Sequence, residues 1–219
     1  MKSLLTGLLI ISSVQIANAA STDTIKVAKE KIVELRITNK EVMRSMPAKR
    51  KGIRIEKLPS ESLCSGAFVT STGDILTAKH CTENAESIEV LTSDGKQYTA
   101  VIVATSKIHD LSLIHIDKFD TPHFTLARSL EQGQRIYVLG SPVGVTGSLS
   151  TGVVAKLNGD INFIDCGALP GNSGGPAFND AGEMVGVVTA GLIVLYGTTH
   201  LNVMQSLEAL IGFATSHGK

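Results

Sequence analysis

CSGAFVTSTGDILTAKHC, residues 64–81, is the stretch from which the fold can be read. Gly66 to Thr70 is strand-like, Ser71-Thr72-Gly73-Asp74 is a turn, and Ile75 to Ala78 resumes as a strand. Apolar and β-branched residues bounded by Gly, Ser and Asp give strand, turn, strand. The second strand runs into His80, which stands beside Cys81.

The same pattern extends outward. Ser87 to Thr92, Tyr98 to Ala104 and Leu111 to Ile116 read as further strands, with Ser93-Asp94-Gly95 as one of the intervening turns. After a link from Phe119 to Glu131 a second series begins: Arg135 to Leu139, Gly147 to Leu157, Ile161 to Ile164, Gly175 to Asn179 and Glu183 to Ala190. Asn179-Asp180-Ala181-Gly182 is a hairpin signal. Val203 to Ala214 carries apolar residues at helical spacing and predicts a short closing helix. Two runs of short strands at even spacing predict an all-β chain of two antiparallel barrels. The expected bounds are about 60–125 for the first barrel, about 130–202 for the second and about 203–214 for the helix. Thr24 to Arg36 mixes helical and strand signals, and the basic run Lys49-Arg50-Lys51 with Arg54 reads as a solvated loop.

Composition narrows the partners. The 219 residues suit one globular unit or two packed halves. Lys and Arg total 20 and so do Asp and Glu, so no global charge points to nucleic acid. Lys2, the apolar run Leu4 to Val14 and the small-x-small triplet Ala17-Asn18-Ala19 form an export signal over 1–19, with the cut expected after Ala19. The apolar run is shorter than the roughly 20 residues a spanning helix needs, so no stable membrane anchor is expected after cleavage. The remainder, 20–219, should be exported, to a periplasm or to the medium, where disulfides persist. Of three cysteines, Cys64 and Cys81 flank the strand-turn-strand and Cys166 is left over.

The chemistry lies in Pro170-Gly171-Asn172-Ser173-Gly174-Gly175-Pro176. A serine hydroxyl attacks only if a base takes its proton. It also needs backbone donors aimed at the oxyanion that forms. Small neighbours bare the N–H groups, and those of Gly171 and Ser173 are the natural pair. Taken alone, the stretch also reads as a flexible loop. The base must come from elsewhere, and His80, at the end of a strand and beside a cysteine, is the candidate, although a lone His is commonly structural. Asp110 opens the apolar strand that follows and is placed to hold an imidazole, or simply to cap a turn. The order His, Asp, Ser, each in its own local context, is one of the orders in which such triads occur. It also puts His80 and Asp110 in the first strand series and Ser173 in the second, so the site would lie between the barrels. The other histidines show no metal-ligand spacing, and no phosphate-binding glycine loop occurs, so neither metal nor cofactor is expected.

On residues 64–81, HDLSLIHI (109–116), GSPVGVTGSLSTGVV (140–154) and DCGALPGNSGGPAFNDAGEMVGVVTAG (165–191), the chain resembles the trypsin-like serine peptidase superfamily, and within it the bacterial HtrA/Deg-like branch. The resemblance implies two six-stranded barrels of the chymotrypsin type and an exported endopeptidase acting on protein or peptide substrates. It implies His80 as base, Asp110 as its orienting partner, Ser173 as nucleophile, and Gly171 and Ser173 N–H as the oxyanion hole. Gly174 would let the backbone pass close to the substrate. Gly167 would lie near the floor of the P1 pocket, with Thr189, Ala190 and Gly191 as a wall and Thr189 as a possible supporter of Asp110. With no Asp at the floor position, a small or medium apolar P1 residue is expected. Cys64 and Cys81 match a disulfide of many animal members, the alternative being two free buried thiols. Cys166 would be a small buried residue near the pocket, or a thiol free to bridge another chain. Asn172 replaces an Asp that drives N-terminal activation in digestive members, so activation of that kind is not expected. No PDZ domain is expected after Val203. The same residues leave open a catalytically silent binding protein on this fold, or an esterase-type serine hydrolase.

Overall fold

The computed structural model describes residues 20–40, 43–47, 53–57, 61–194 and 197–217, with 43–47, 53–57, 190–194 and 197–200 described as backbone. The export signal at 1–19 and the basic run at 49–51 lie outside the described residues.

The chain opens with helix α1 (Thr22–Glu30). Ser21 starts it by accepting the Thr24 N–H on its side chain, and Asp23 lies in the first turn, where negative charge complements the helix dipole. Strand β1 (Ile32–Asn39) follows at once. The mixed signals over Thr24 to Arg36 are thus a helix running directly into a strand. Next come β2 (Met43–Pro47) and β3 (Ile53–Lys57), which among the described residues pair with each other as a two-stranded sheet.

The first large sheet continues with β4 (Glu61–Phe68), β5 (Asp74–Thr77), the one-turn helix α2 (Lys79–Thr82), β6 (Ala85–Thr92), β7 (Gln97–Thr99), β8 (Val101–Thr105) and β9 (Ser112–His115). Its order is β7-β6-β1-β4-β5-β9-β8. The two edge strands, β7 and β8, are consecutive in the chain and separated only by Ala100, whose N–H donates to Ile88 O. The sheet therefore curls until its edges are two halves of one segment, which gives six strand positions from seven strands. This sheet begins at β1, upstream of the expected 60–125 span.

The second barrel closes as β10 (Arg135–Gly140), β11 (Ser148–Lys156), β12 (Ile161–Ile164), β15 (Gly197–Gln205), β14 (Met184–Val194) and β13 (Pro176–Phe178), in that spatial order. All its pairings are antiparallel. The closing helix α3 spans Leu207–His217 and not 203–214. Val203 belongs to β15, paired with Phe163 and Ala190, and Ser206 starts the helix by accepting the Ala209 N–H on its hydroxyl.

Each barrel has its own apolar interior: Val33, Leu35, Phe68, Ile75 and Ile114 in the first, Ile136, Val138, Ile164, Val185 and Val188 in the second. A third cluster binds the barrels to each other and to the helices, with Ala28, Leu76, Tyr137, Phe178 and Phe213 among its members. Among the described residues no helix is long and apolar enough to cross a membrane.

Cys64 and Cys81 are joined in a disulfide across 17 residues, tying β4 to α2. A closed loop of that length is worth roughly 3 kcal/mol in the chain-entropy account. Cys166 is fully buried in the second barrel, and burial, followed by the charge of Asp165, pushes its thiol up to about 12. It cannot reach another chain. Alkylation at neutral pH should therefore label no cysteine in the folded protein, one after unfolding without reductant and three after reduction. Rapid labelling of Cys166 in the native state would contradict this packing.

Candidate active site

His80 sits in α2, directly after β5, and Asp110 sits just before β9, the strand paired with β5. Adjacent strand ends thus bring the two residues together. Asp110 Oδ2 lies 2.7 Å from His80 Nδ1, and Asp110 Oδ1 accepts the His80 backbone N–H at 2.8 Å. A carboxylate at that distance fixes the ring proton on Nδ1 and leaves Nε2 with its lone pair. The loop holding Asp110 is itself braced: Ser106 Oγ accepts the His109 N–H, Ser106 N donates to Leu111 O, and Lys79 Nζ donates to Ser106 O. Burial pushes the Asp110 carboxyl up, but the hydrogen bonds from His80 outweigh it and hold the group below the usual carboxylate range. The His80 side chain is 41% exposed and Asp110 31%, so the ring is the more open of the two.

Ser173 is held from the first barrel through Ser65. Ser65 N donates to Ser173 O at 2.8 Å, and Ser65 Oγ donates to Gly171 O at 2.7 Å. Ser141 N donates to Ser65 Oγ at 2.9 Å, and Thr77 Oγ1 donates to Ser65 O at 2.8 Å. Ser65 is completely buried and follows Cys64, while Cys81 follows His80. The disulfide therefore links the histidine turn to the residue that pins the serine loop.

Pro170 O accepts the Val143 N–H at 2.8 Å, and because the C=O and N–H of a trans peptide point in opposite directions, the Gly171 N–H faces away from Val143. Among the described residues, the N–H groups of Gly171 and Ser173 have no acceptor. Gly171 has φ +103°, and a Cβ there would lie 2.2 Å from Ser141 O, so only glycine fits. Val143 itself has φ +46°, a strained state for a β-branched residue. At Gly174, φ +84°, a Cβ would lie 2.1 Å from both Ser65 O and Thr77 Oγ1, so glycine is also needed for the contact between barrels.

Thr189 is the extra residue of a β-bulge in β14, between Val188↔Met204 and Ala190↔Val203. Its carbonyl faces Ser173 Oγ at 3.4 Å, and its hydroxyl is directed at Val203 O, 3.5 Å away, not at Asp110. Ala190 and Gly191 continue the same strand against Val203 and Asn202. Gly167 is exposed, with open space where a side chain would stand and its carbonyl taking Ser150 Oγ at 2.9 Å. Asp165 is spent on the backbone, accepting the Val153 N–H at 2.5 Å. Cys166 packs into the barrel interior rather than toward Gly167. His115 pairs with Asp74 at 2.8 Å, and His123 Nδ1 lies 3.1 Å from Thr121 O. Cys64, His80 and Cys81 bring ligand-type atoms within 4.8 Å of one another, but the two sulfurs are bonded to each other, which removes the thiolates a metal would need.

Three contributors were not singled out from sequence: Ser65, Val143 and Glu34. Glu34 is buried on β1, accepts Arg36 Nε at 2.9 Å and takes a short hydrogen bond from Thr146 Oγ1, which fastens the 141–147 loop to the first barrel. A buried acid in a strand otherwise apolar at that point was the available signal.

The sequence profile of the trypsin-like peptidase domain matches residues 64–187, and the chain belongs to that family. Among curated relatives, a protein of Pseudomonas fluorescens named probable periplasmic serine endoprotease DegP-like is 34% identical over 154 residues, covering 66% of this chain and 32% of its own length. One of the same name from Halomonas elongata is 35% identical over 136 residues, covering 58% and 29%. The chain spans about a third of the length of these relatives. Of solved structures, the HtrA-type protease AlgW with tripeptide superposes with a TM-score of 0.71 at 25% identity, over 90% of this chain and 64% of that one. The serine endoprotease from Yersinia pestis shares the fold, with a TM-score of 0.70 at 23% identity over 88% of this chain and 64% of that one.

Two outcomes are expected. Ser65→Ala leaves Ser141 N and Gly171 O buried without partners, at about 1–3 kcal/mol for each group, and denaturant unfolding should show that loss. Asp110 contributes stability above the ordinary carboxylate range, and loses it as pH falls through its lowered folded value. The stability gap between wild type and Asp110→Asn should thus close on acidification, and a gap that widens toward low pH would contradict the pairing.

Proposed function

We propose that the chain is a serine endopeptidase that cleaves peptide bonds through an acyl-enzyme on Ser173. The observation that carries this reading is the paired His80–Asp110 unit, next to a cysteine whose Sγ lies 3.9 Å from Ser173 O, together with a loop whose Gly171 and Ser173 N–H groups have no acceptor among the described residues. Family membership and the DegP-like names of its relatives support it. His80 Nε2 takes the proton of Ser173 Oγ as that oxygen attacks the substrate carbonyl, forming the C–O bond. The electron pair of the carbonyl moves to its oxygen, where the Gly171 and Ser173 N–H groups receive it. Collapse breaks the C–N bond, and the protonated His80 gives its proton to the leaving amine. Water, deprotonated by His80, then releases the acid and restores Ser173. Asp110 stays ionised throughout and stabilises the imidazolium.

The proposed substrates are proteins or peptides with a small or medium apolar P1 residue, because Gly167 offers no charge and the Asp165 carboxylate is occupied by Val153 N–H. The export signal at 1–19 and the periplasmic names of the relatives support action outside the cytoplasm.

Cleavage of a peptide library by the purified protein tests this. Ser173→Ala or His80→Ala should lower kcat by about 10⁴ or more. Cleavage mainly after Arg or Lys would overturn the pocket assignment. Cleavage that survives Ser173→Ala would overturn the mechanism.

A further inference from the structure

Ala20, the residue at which the sequence places the new N-terminus, has its backbone nitrogen between two acceptors. Asp180 Oδ1 lies 2.9 Å away and Tyr137 Oη 3.0 Å away. Tyr137 Oη in turn donates to Asp180 Oδ1 at 3.0 Å, so the three atoms form a closed triangle. Arg135 forks onto the same carboxylate, Nε to Oδ1 at 3.1 Å and Nη2 to Oδ2 at 3.3 Å. The site is built into the fold: Tyr137 is 5% exposed, and the Ala20 side chain packs against the cluster that joins the barrels. The turn that carries Asp180 is shaped by its neighbour, since Asn179 Oδ1 accepts the N–H groups of Ala181 and Glu183, each at 3.0 Å. Asp180 is thereby left to face the Ala20 nitrogen and Arg135.

A backbone amide brings one hydrogen and no net charge to this triangle. An α-ammonium brings three hydrogens and a unit charge, one hydrogen for each acceptor and charge for the carboxylate. The arrangement matches the second group better than the first.

We propose that the α-amino group freed by removal of residues 1–19 is bound by Asp180 and Tyr137, so that export processing creates an ion pair that fastens α1 to the second barrel. This rests on the export-signal reading, not on the catalytic one. The anchor matters because α1 spans the two barrels. One end of it would be tied to the β13–β14 turn, and at the other end Lys31 O accepts the Phe68 N–H at 2.9 Å, where the chain enters β1. Phe68 ends β4, the strand that contains Ser65. β13 begins just after the Ser173 loop. The amine would therefore link both barrels through α1.

The test compares the mature protein carrying a free Ala20 amine with its Nα-acetylated form, each with and without Asp180→Asn, by denaturant unfolding. Acetylation should lower the folding equilibrium constant about two- to tenfold in the wild-type background. In Asp180→Asn it should have little effect. If that variant does not fold, Tyr137→Phe, which keeps the ring and removes one acceptor, should shrink the effect of acetylation. The advantage of the free amine should be fully present below the ordinary α-amine range, about 8, and be lost as pH rises through a folded value raised by the carboxylate. Equal effects of acetylation in both backgrounds, or none in the wild type, would overturn the proposal. The mass of the exported protein separates the two readings. A start at a residue other than Ala20 overturns the amine site and leaves export standing, whereas retention of residues 1–19 overturns both.

Discussion

Ser65 is where the two barrels share their hydrogen bonds. Four bonds meet at this one buried residue, from Thr77 and Ser141 and to Gly171 and Ser173. Its position in sequence matters as much as its bonds. Cys64 precedes it and is bonded to Cys81, which follows His80. The base and the nucleophile therefore belong to different barrels but share a short, covalently stapled path. A side chain of another size at Ser65 would either leave buried backbone groups unpaired or push the barrels apart. Both are costly in a site that must hold its parts to a fraction of an ångström.

The orientation of the serine loop follows from the same constraint. Gly171 O is committed to Ser65, and Pro170 O to Val143 N, so the peptide units on both sides of Gly171 are fixed. Donors held in place before substrate arrives need no reorganisation during the reaction, which is the main physical source of oxyanion stabilisation. The cost appears next door, in the positive φ of Val143, an exposed β-branched residue. Strain of that kind is of order 1–3 kcal/mol and persists only where the surroundings over-determine it. Here the bond to Pro170 O, and the tether from Thr146 to buried Glu34 in the same loop, supply that support.

Much of the fold and of the candidate site was legible because the signals are local. The strand-turn-strand at 64–81 and the glycine-flanked Ser173 carry their geometry in adjacent residues. Strand β1 was not legible. Val33 to Thr38 does alternate apolar with polar residues, and Val33, Leu35 and Ile37 do face the first barrel, but the strand follows α1 with only Lys31 between them, so no turn signal marks where the period changes. The end of β15 was read as helix because Val203 to Ala214 fits both periods, and the Ser206 cap that divides them was passed over. The bulge at Thr189 left no trace in composition, yet it decides where that side chain points. Ser65 could not be told from any other strand serine, because its partners lie up to 108 residues downstream, at Ser173.

The most direct measurement is the stoichiometry and location of the adduct formed by a fluorophosphonate with the folded, exported protein. A serine reacts only when its hydroxyl is activated and the developing oxyanion is received, so the reagent reads the whole assembly at once. This account predicts one adduct per chain, on Ser173, formed far more slowly when Ser65 is replaced by Ala. A folded wild-type protein that takes up no reagent, or takes it up on another residue, would contradict it.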